Sequence, residues 1–330
     1  MTNTITLQGN WWLPDSPDER LSGILSLSED RIELNINGQL SIDFVEAHIP
    51  EIHGIIVEDI HTPDSARRFR TKIVILQNCL YIKHSPCCIF YPKFDSTIVT
   101  SSFSAATAYT IKNHANVKDL SLCFHEIELG FSHLADFSLT TGRLIKDDFV
   151  CDENGRFQEI SAVYKARDLP RVIIGNVAIK FTQGIQDSGD RIRKFVINPV
   201  IRFRITSEEA LTLPEWQSKY IMPLKHFLTL ATKEVNHVTH ICACHHDNVQ
   251  ILDDGTKRLI HYEILNAKIL KSRNTEFKEP GTPFFRLRDI QDSFEDILKR
   301  WLELYERHYI VQNLLFSHLH SEEVISSPLN

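Results

Sequence analysis

Apolar and polar side chains alternate with a period of two through the first part of the chain, the signature of strands with one face on a core and one in solvent. Ile32, Leu34 and Ile36 alternate with Arg31, Glu33 and Asn35, and Leu21, Leu25 and Leu27, with Ile5 and Leu7 before them, repeat the pattern. Asn37-Gly38 separates that run from Leu40, Ile42 and Phe44. Asn-Gly readily takes positive φ at both central turn positions, so the spacing predicts a type I′ hairpin. Further strands are predicted over 52–60, 71–82, 120–131, 157–166, 171–181 and 193–206. In the last of these Ile201, Phe203 and Ile205 alternate with Arg202 and Arg204, giving one buried and one wet face. An antiparallel β-sandwich or barrel over residues 1–206 is the economical packing.

The pattern changes after Ser207. Thr212-Leu-Pro-Glu-Trp216 reads as a helix start with proline tolerated in its first turn, and Trp216, Tyr220, Leu224, Phe227 and Leu228 recur at helical spacing. Pro223 is expected to kink this helix. Strand character returns over 235–244, 249–251 and 258–265, with Asp254-Gly255 as a turn, so residues 207–288 form a mixed α/β segment. From residue 289 to 330 the chain is predicted helical, with Asp289 as the cap. Ile290, Phe294, Ile297, Leu298, Trp301 and Tyr305 make one apolar stripe there, opposite the charged Asp292, Glu295, Lys299, Glu303 and Glu306. A second helical stretch is expected over 309–319. The fold class is therefore α+β, mainly β, in three parts.

Composition narrows the function classes. A chain of 330 residues with 42% hydrophobic side chains exceeds what one core organises. Its start lacks a basic segment followed by an apolar one, and its longest apolar stretch, 221–230, is cut by Pro223, Lys225 and His226. That argues against a secretory signal or a membrane helix and for a soluble, cytoplasmic protein. The 7 scattered cysteines fit reduced thiols. A formal charge of -7 disfavours general coating of nucleic acid.

Three groups of residues carry candidate chemistry. The densest is His237-Val-Thr-His240-Ile-Cys242-Ala-Cys244-His245-His246-Asp247. On a strand Cys242 and Cys244 share a face, and with His240 and His261 they supply the four thiolate and imidazole ligands of a zinc site, although the spacing follows no established zinc pattern. The alternative is small thiols in a buried strand flanked by solvent histidines, with no cofactor. Arg67, Arg68 and Arg70 around Phe69 combine cations with an aromatic ring, as single-stranded RNA binding requires, and Arg191, Arg193, Lys194, Arg202 and Arg204 add a second basic group. A solvated strand face is the other reading. Trp11 and Trp12 either line a ligand surface or anchor a core. The phosphate-binding, nucleophile-elbow and zinc-hydrolase motifs do not occur.

Gly9-Asn-Trp11-Trp12-Leu13-Pro14, Leu21-Ser-Gly23-Ile-Leu25-Ser-Leu27-Ser28, Ile52-His-Gly54, Phe227-Leu-Thr-Leu-Ala-Thr232, Phe285-Arg-Leu-Arg-Asp289 and Ile297-Leu-Lys-Arg-Trp301 follow one another along the chain. Together they resemble the ApeA N-terminal domain family, which precedes a HEPN ribonuclease domain in bacterial abortive-infection defence against phage. The resemblance implies a non-catalytic module that senses infection or restrains the nuclease. Its implied partners are a phage-derived trigger, the HEPN domain and a further copy of the chain. HEPN catalysis needs an Arg and a His at a short helical spacing, and no pair here has it: Arg258 to His261 is too short and Arg300 to His308 too long. Residues 289–330 are read as the start of that domain, and the chain itself as no enzyme. A free-standing module binding carbohydrate, peptide or a phage component is the alternative, with a metal-dependent enzyme at 237–247 behind it.

Overall fold

A computed structural model describes residues 4–40, 48–61, 67–91, 94–112, 122–138, 143–151, 153, 157–165, 169–188, 196–251, 255–274, 282–312, 314–316 and 318. The first stretch forms β1 (Ile5–Trp12), β2 (Leu21–Leu27), β3 (Ile32–Asn37), β4 (His48–His61), β5 (Arg67–Tyr91) and β6 (Phe94–Lys112). Next come β7 (Cys123–Phe131), α1 (Leu134–Ser138), β8 (Arg143–Cys151), β9 (Phe157–Lys165), β10 (Arg171–Ile174), β11 (Val177–Ser188) and β12 (Val196–Thr212). Helix α2 (Leu213–Trp216) runs through a π turn (Gln217–Ile221) into α3 (Met222–Thr232). β13 (Val238–Ile251), β14 (Lys257–Leu265), α4 (Ala267–Asn274), α5 (Leu287–Ile290) and α6 (Phe294–Arg307) follow. The class is α+β, mainly β, as the pattern implied.

Contacts divide the chain into two units, each built from two stretches: Met1–His125 with Thr239–Glu276, and Glu126–Val238 with Phe277–Asn330. The three-part division read from the sequence follows element type, whereas these units follow packing.

The first unit is organised by a closed six-stranded antiparallel barrel in the order β6, β3, β2, β1, β4, β5, with β5 pairing back onto β6. Closure leaves no free edge among these strands. β14 extends the outer edge of β6, pairing Tyr262–Leu265 with Ile111–Ala108, and β13 pairs with β14. Trp11 sits in the barrel core with no exposed surface, among Leu25, Leu34, Ile52, Val74 and Phe103. Its ring fits because the neighbouring strands carry glycine. A Cβ on Gly54 would stand 2.2 Å from Trp11 Cε3, and one on Gly23 would stand 3.0 Å from Cδ1 and 2.6 Å from the Asn35 carbonyl oxygen. The register explains this, since Trp11 lies directly across from Gly54, and Gly23 is two residues from Leu21, its partner on β2.

The expected hairpin at Asn37-Gly38 does not form. Both edges of β3 are occupied, by β2 and by β6, so no edge remains for a partner from 40–44. Gly38 takes positive φ but Asn37 does not, and a type I′ turn needs both; Ile42 and Phe44 lie outside the described residues. Strand β6, in contrast, carries no period-two signal. Ser101, Ser102, Phe103, Ala108, Tyr109, Thr110 and Ile111 are all buried, because both of its faces are covered and small residues fill the crowded one.

The second unit pairs a sheet in the order β10, β11, β12, β7 with helices, and adds the β8–β9 hairpin. Its core is aromatic. Phe181 lies 4.7 Å from Phe203 and 5.8 Å from Phe294, and Phe227 lies 5.7 Å from Phe285 and 6.0 Å from Trp301. Thr212 starts the helix, with the Glu215 carboxylate accepting from its N–H and its hydroxyl, both at 2.8 Å. Pro223 is accommodated by the π turn before it, in which the Met222 N–H reaches back to the Gln217 carbonyl. Asp289 acts from inside α5, accepting from the Arg286 N–H at 2.8 Å, and so is not itself the first cap. The apolar stripe of α6 docks: Phe294, Leu298 and Tyr305 are buried and Trp301 donates its indole N–H to the Pro223 carbonyl at 2.9 Å. Residues 309–312 and 314–316 continue as helix. Exposed apolar side chains gather there instead, at Leu304, Ile310, Val311, Leu314 and Leu315.

Candidate functional site

β13 and β14 lose register between Cys244 and Val249. Cys244 pairs with His261 and Val249 with Leu259, so the four residues His245–Asn248 stand opposite Ile260 alone. Such a bulge leaves residues unpaired and re-aims their side chains, and bulges concentrate beside functional sites. This one presents two imidazoles and a carboxylate, which pack onto a third imidazole, His125 of β7. The His125 ring centroid is 4.4 Å from His246, stacked at 9°, and 4.4 Å from His245, edge to face at 68°.

Backbone hydrogen bonds fix the rings. The His246 N–H donates to His125 Nδ1 at 3.4 Å and the Asp247 N–H donates to His245 Nδ1 at 3.2 Å. To accept, His125 Nδ1 must be bare, which is the neutral ring with its proton on Nε2. The Asp247 carboxylate stands 3.8 Å from His245 Nδ1 and is almost fully exposed. On the inner side, Asn248 Nδ2 donates to the Tyr262 hydroxyl at 2.8 Å, and Tyr262 stacks edge-on against Phe124, 5.2 Å away. Partial burial lowers the His125 pKa below its ordinary 6.5; His245 and His246 lower it further, and Asp247 acts in the opposite sense.

The sequence-derived zinc set is only partly assembled. Cys242 Sγ is 3.9 Å from His261 Nδ1, while Cys244 is buried, and among the described residues no group of three or more His, Cys, Asp or Glu side chains is arranged to hold a metal ion. His240 lies two residues before Cys242 on β13. The stacked His125 and His246 rings also point their lone pairs in parallel planes, which does not suit a shared ion. His125 was missed because it lies more than a hundred residues from the bulge; its only sequence signal was an imidazole in a strand otherwise rich in apolar residues.

Trp11 and Trp12 are both buried, the first in the barrel core and the second beneath Arg20, whose guanidinium lies 4.8 Å from its ring centroid. His53 meets Trp12 edge-on at 6.2 Å and is itself held by the Glu51 carboxylate. Arg67, Arg68 and Arg70 run in β5 opposite His61, Ile60 and Glu58, and their side chains lie outside the described residues. In the second basic group Arg202 and Arg204 are neutralised: Glu128 receives hydrogen bonds from Arg202 at 2.6 Å and from Arg204 at 3.1 Å, and Glu126 lies 3.5 Å from Arg204. Burial by itself would raise the Glu128 pKa, but the two arginines outweigh it and hold the carboxyl below its ordinary value.

A model of the family described as ApeA N-terminal domain 1 matches residues 6–301. No curated protein and no solved structure matches the chain.

Proposed function

Since the chain belongs to the ApeA N-terminal domain 1 family, we propose that it is the non-catalytic sensing and regulatory module of a bacterial anti-phage defence protein whose effector is a HEPN ribonuclease domain. The family match is the observation that carries this reading. It gains support from where the shared landmarks lie. Trp11, Gly23 and Gly54 meet in one core, and Phe227, Phe285 and Trp301 meet in another. These landmarks therefore build two packed cores, which suits a recognition scaffold.

In this reading the effector domain follows α6, and the exposed apolar side chains Ile310, Val311, Leu314 and Leu315 belong to its junction. A phage component is the trigger. The chain acts in the cytoplasm, where no long apolar helix is needed; among the described residues no helix is long and apolar enough to cross a membrane.

Two assays test the proposal. Purified chain incubated with RNA and tRNA should leave both intact, and cleavage that persists after contaminating nucleases are removed would overturn the non-catalytic role. In cells carrying the defence gene, deleting the codons for residues 6–301 should abolish phage-dependent growth arrest, leaving the effector either inert or constitutively toxic. Unchanged phage-dependent arrest would refute a sensing role.

A further inference from the structure

We propose that the bulge from His245 to Asn248 is a proton-controlled element, closed on β7 while His125 is neutral and released when His125 takes up a proton. The geometry sets the condition. His125 Nδ1 accepts the His246 N–H at 3.4 Å, and an imidazolium, with N–H on both ring nitrogens, has no lone pair to offer. Protonation thus turns an acceptor into a donor facing a donor. The same proton places a positive ring 4.4 Å from two further imidazoles, both of which disfavour charge on His125.

The response stays local because the two ends of the bulge are held differently. Asn248 is tied to the Tyr262 hydroxyl at 2.8 Å by a bond that does not involve His125, and Cys244 and Val249 remain in register with β14 on either side. The segment that responds is His245–Asp247, whose backbone lies outside the ladder with β14 and whose contacts with β7 include the His246 N–H bond to His125. The groups bearing on His125 are His245, His246 and Asp247, all from β13. Burial and the two histidines favour the neutral ring and Asp247 the charged one, with the balance below the ordinary value of 6.5. The sign follows: the closed form is fully held above pH 6.5 and is lost as pH falls below it. Release thereby frees the imidazole and carboxylate side chains of the bulge from the His125 ring.

Hydrogen–deuterium exchange of the intact chain, followed by mass spectrometry and corrected for the chemical pH dependence of exchange, reads the element directly. Between pH 7.5 and 5.5 the amides of 245–247 should lose up to about tenfold protection, while those of 103–111 in β6 keep theirs. His125→Gln supplies an acceptor that does not titrate, so protection should persist at both pH values. His125→Phe keeps a flat ring without an acceptor, so protection should be low at both. A wild-type profile flat with pH overturns the proposal without any variant, and so does a pH dependence that survives in His125→Gln. None of these outcomes depends on the defence role, which the RNA and growth-arrest assays address separately.

Discussion

The barrel and the aromatic unit solve the same packing problem by opposite means. In the barrel, backbone pairing closes the sheet on itself, and the interior is filled mostly by Leu, Ile and Val around one tryptophan. Room for that tryptophan comes from glycines on both neighbouring strands. In the second unit an open sheet is covered by helices, and the gap is bridged by rings from five or more separate elements, Phe137, Phe181, Phe203, Phe227 and Phe294 among them. Its edge strand β10 is blocked by α6, where the Glu295 carboxylate accepts a backbone hydrogen bond from Ile173. A closed sheet needs shape complementarity at a few points; an open one needs large side chains and explicit edge protection.

The largest expected effect probes the first of these points. Trp11→Ala should cost about 4 kcal/mol of unfolding free energy, measured by urea denaturation, and should raise amide exchange in β1, β2 and β4 with little change in α3 and α6. Equal loosening of both units would erase the distinction. Phe294→Ala should cost about 3 kcal/mol with the opposite exchange pattern, confined to α6, β11 and β12.

Gly54→Ala should cost about 2 kcal/mol through overpacking against the Trp11 ring. Combined with Trp11→Ala it should cost clearly less than the sum, because the deleted ring removes the clash; strict additivity would show that the close approach is not what Gly54 serves. The smallest effect concerns charge. Glu128 titrates below its ordinary value of 4.5 in the folded chain, so the stability it contributes is present above that value and lost as pH falls below it. Glu128→Gln should lower stability by about 1 kcal/mol at pH 7 and flatten the decline between pH 5 and 3, seen as a smaller shift in the urea midpoint.

Much of the fold was legible in advance. β2, β3, β4 and β12 lie where period-two alternation placed them, since each has one covered and one open face. α3 and α6 follow their apolar stripes. β6 escaped detection because it is covered on both sides, and α4 because its short run, Ala267–Asn274, has little amphipathic contrast. Its start is marked only by Asn266, whose side chain accepts the Ile269 N–H at 2.9 Å. Asn37-Gly38 misled for the reverse reason: a local turn preference was outweighed by two long-range strand pairings.

The candidate site was half legible. The run from His237 to Asp247 announced unusual chemistry, readable either as a zinc site with Cys242 and Cys244 or as thiols in a buried strand flanked by histidines. The folded chain buries Cys244 and turns His245 and His246 towards His125.

By itself, then, the sequence determined most of the strands and helices, much of the core, and which family the landmarks resemble, because hydrophobic period and local turn chemistry act over a few residues. Only the tertiary structure decided that the barrel closes, that its tryptophan rests against glycines of other strands, and that three histidines meet at a bulge. Those outcomes depend on register between segments far apart in the chain, and register is set by many weak contacts at once, none of which leaves a mark on its neighbours in sequence.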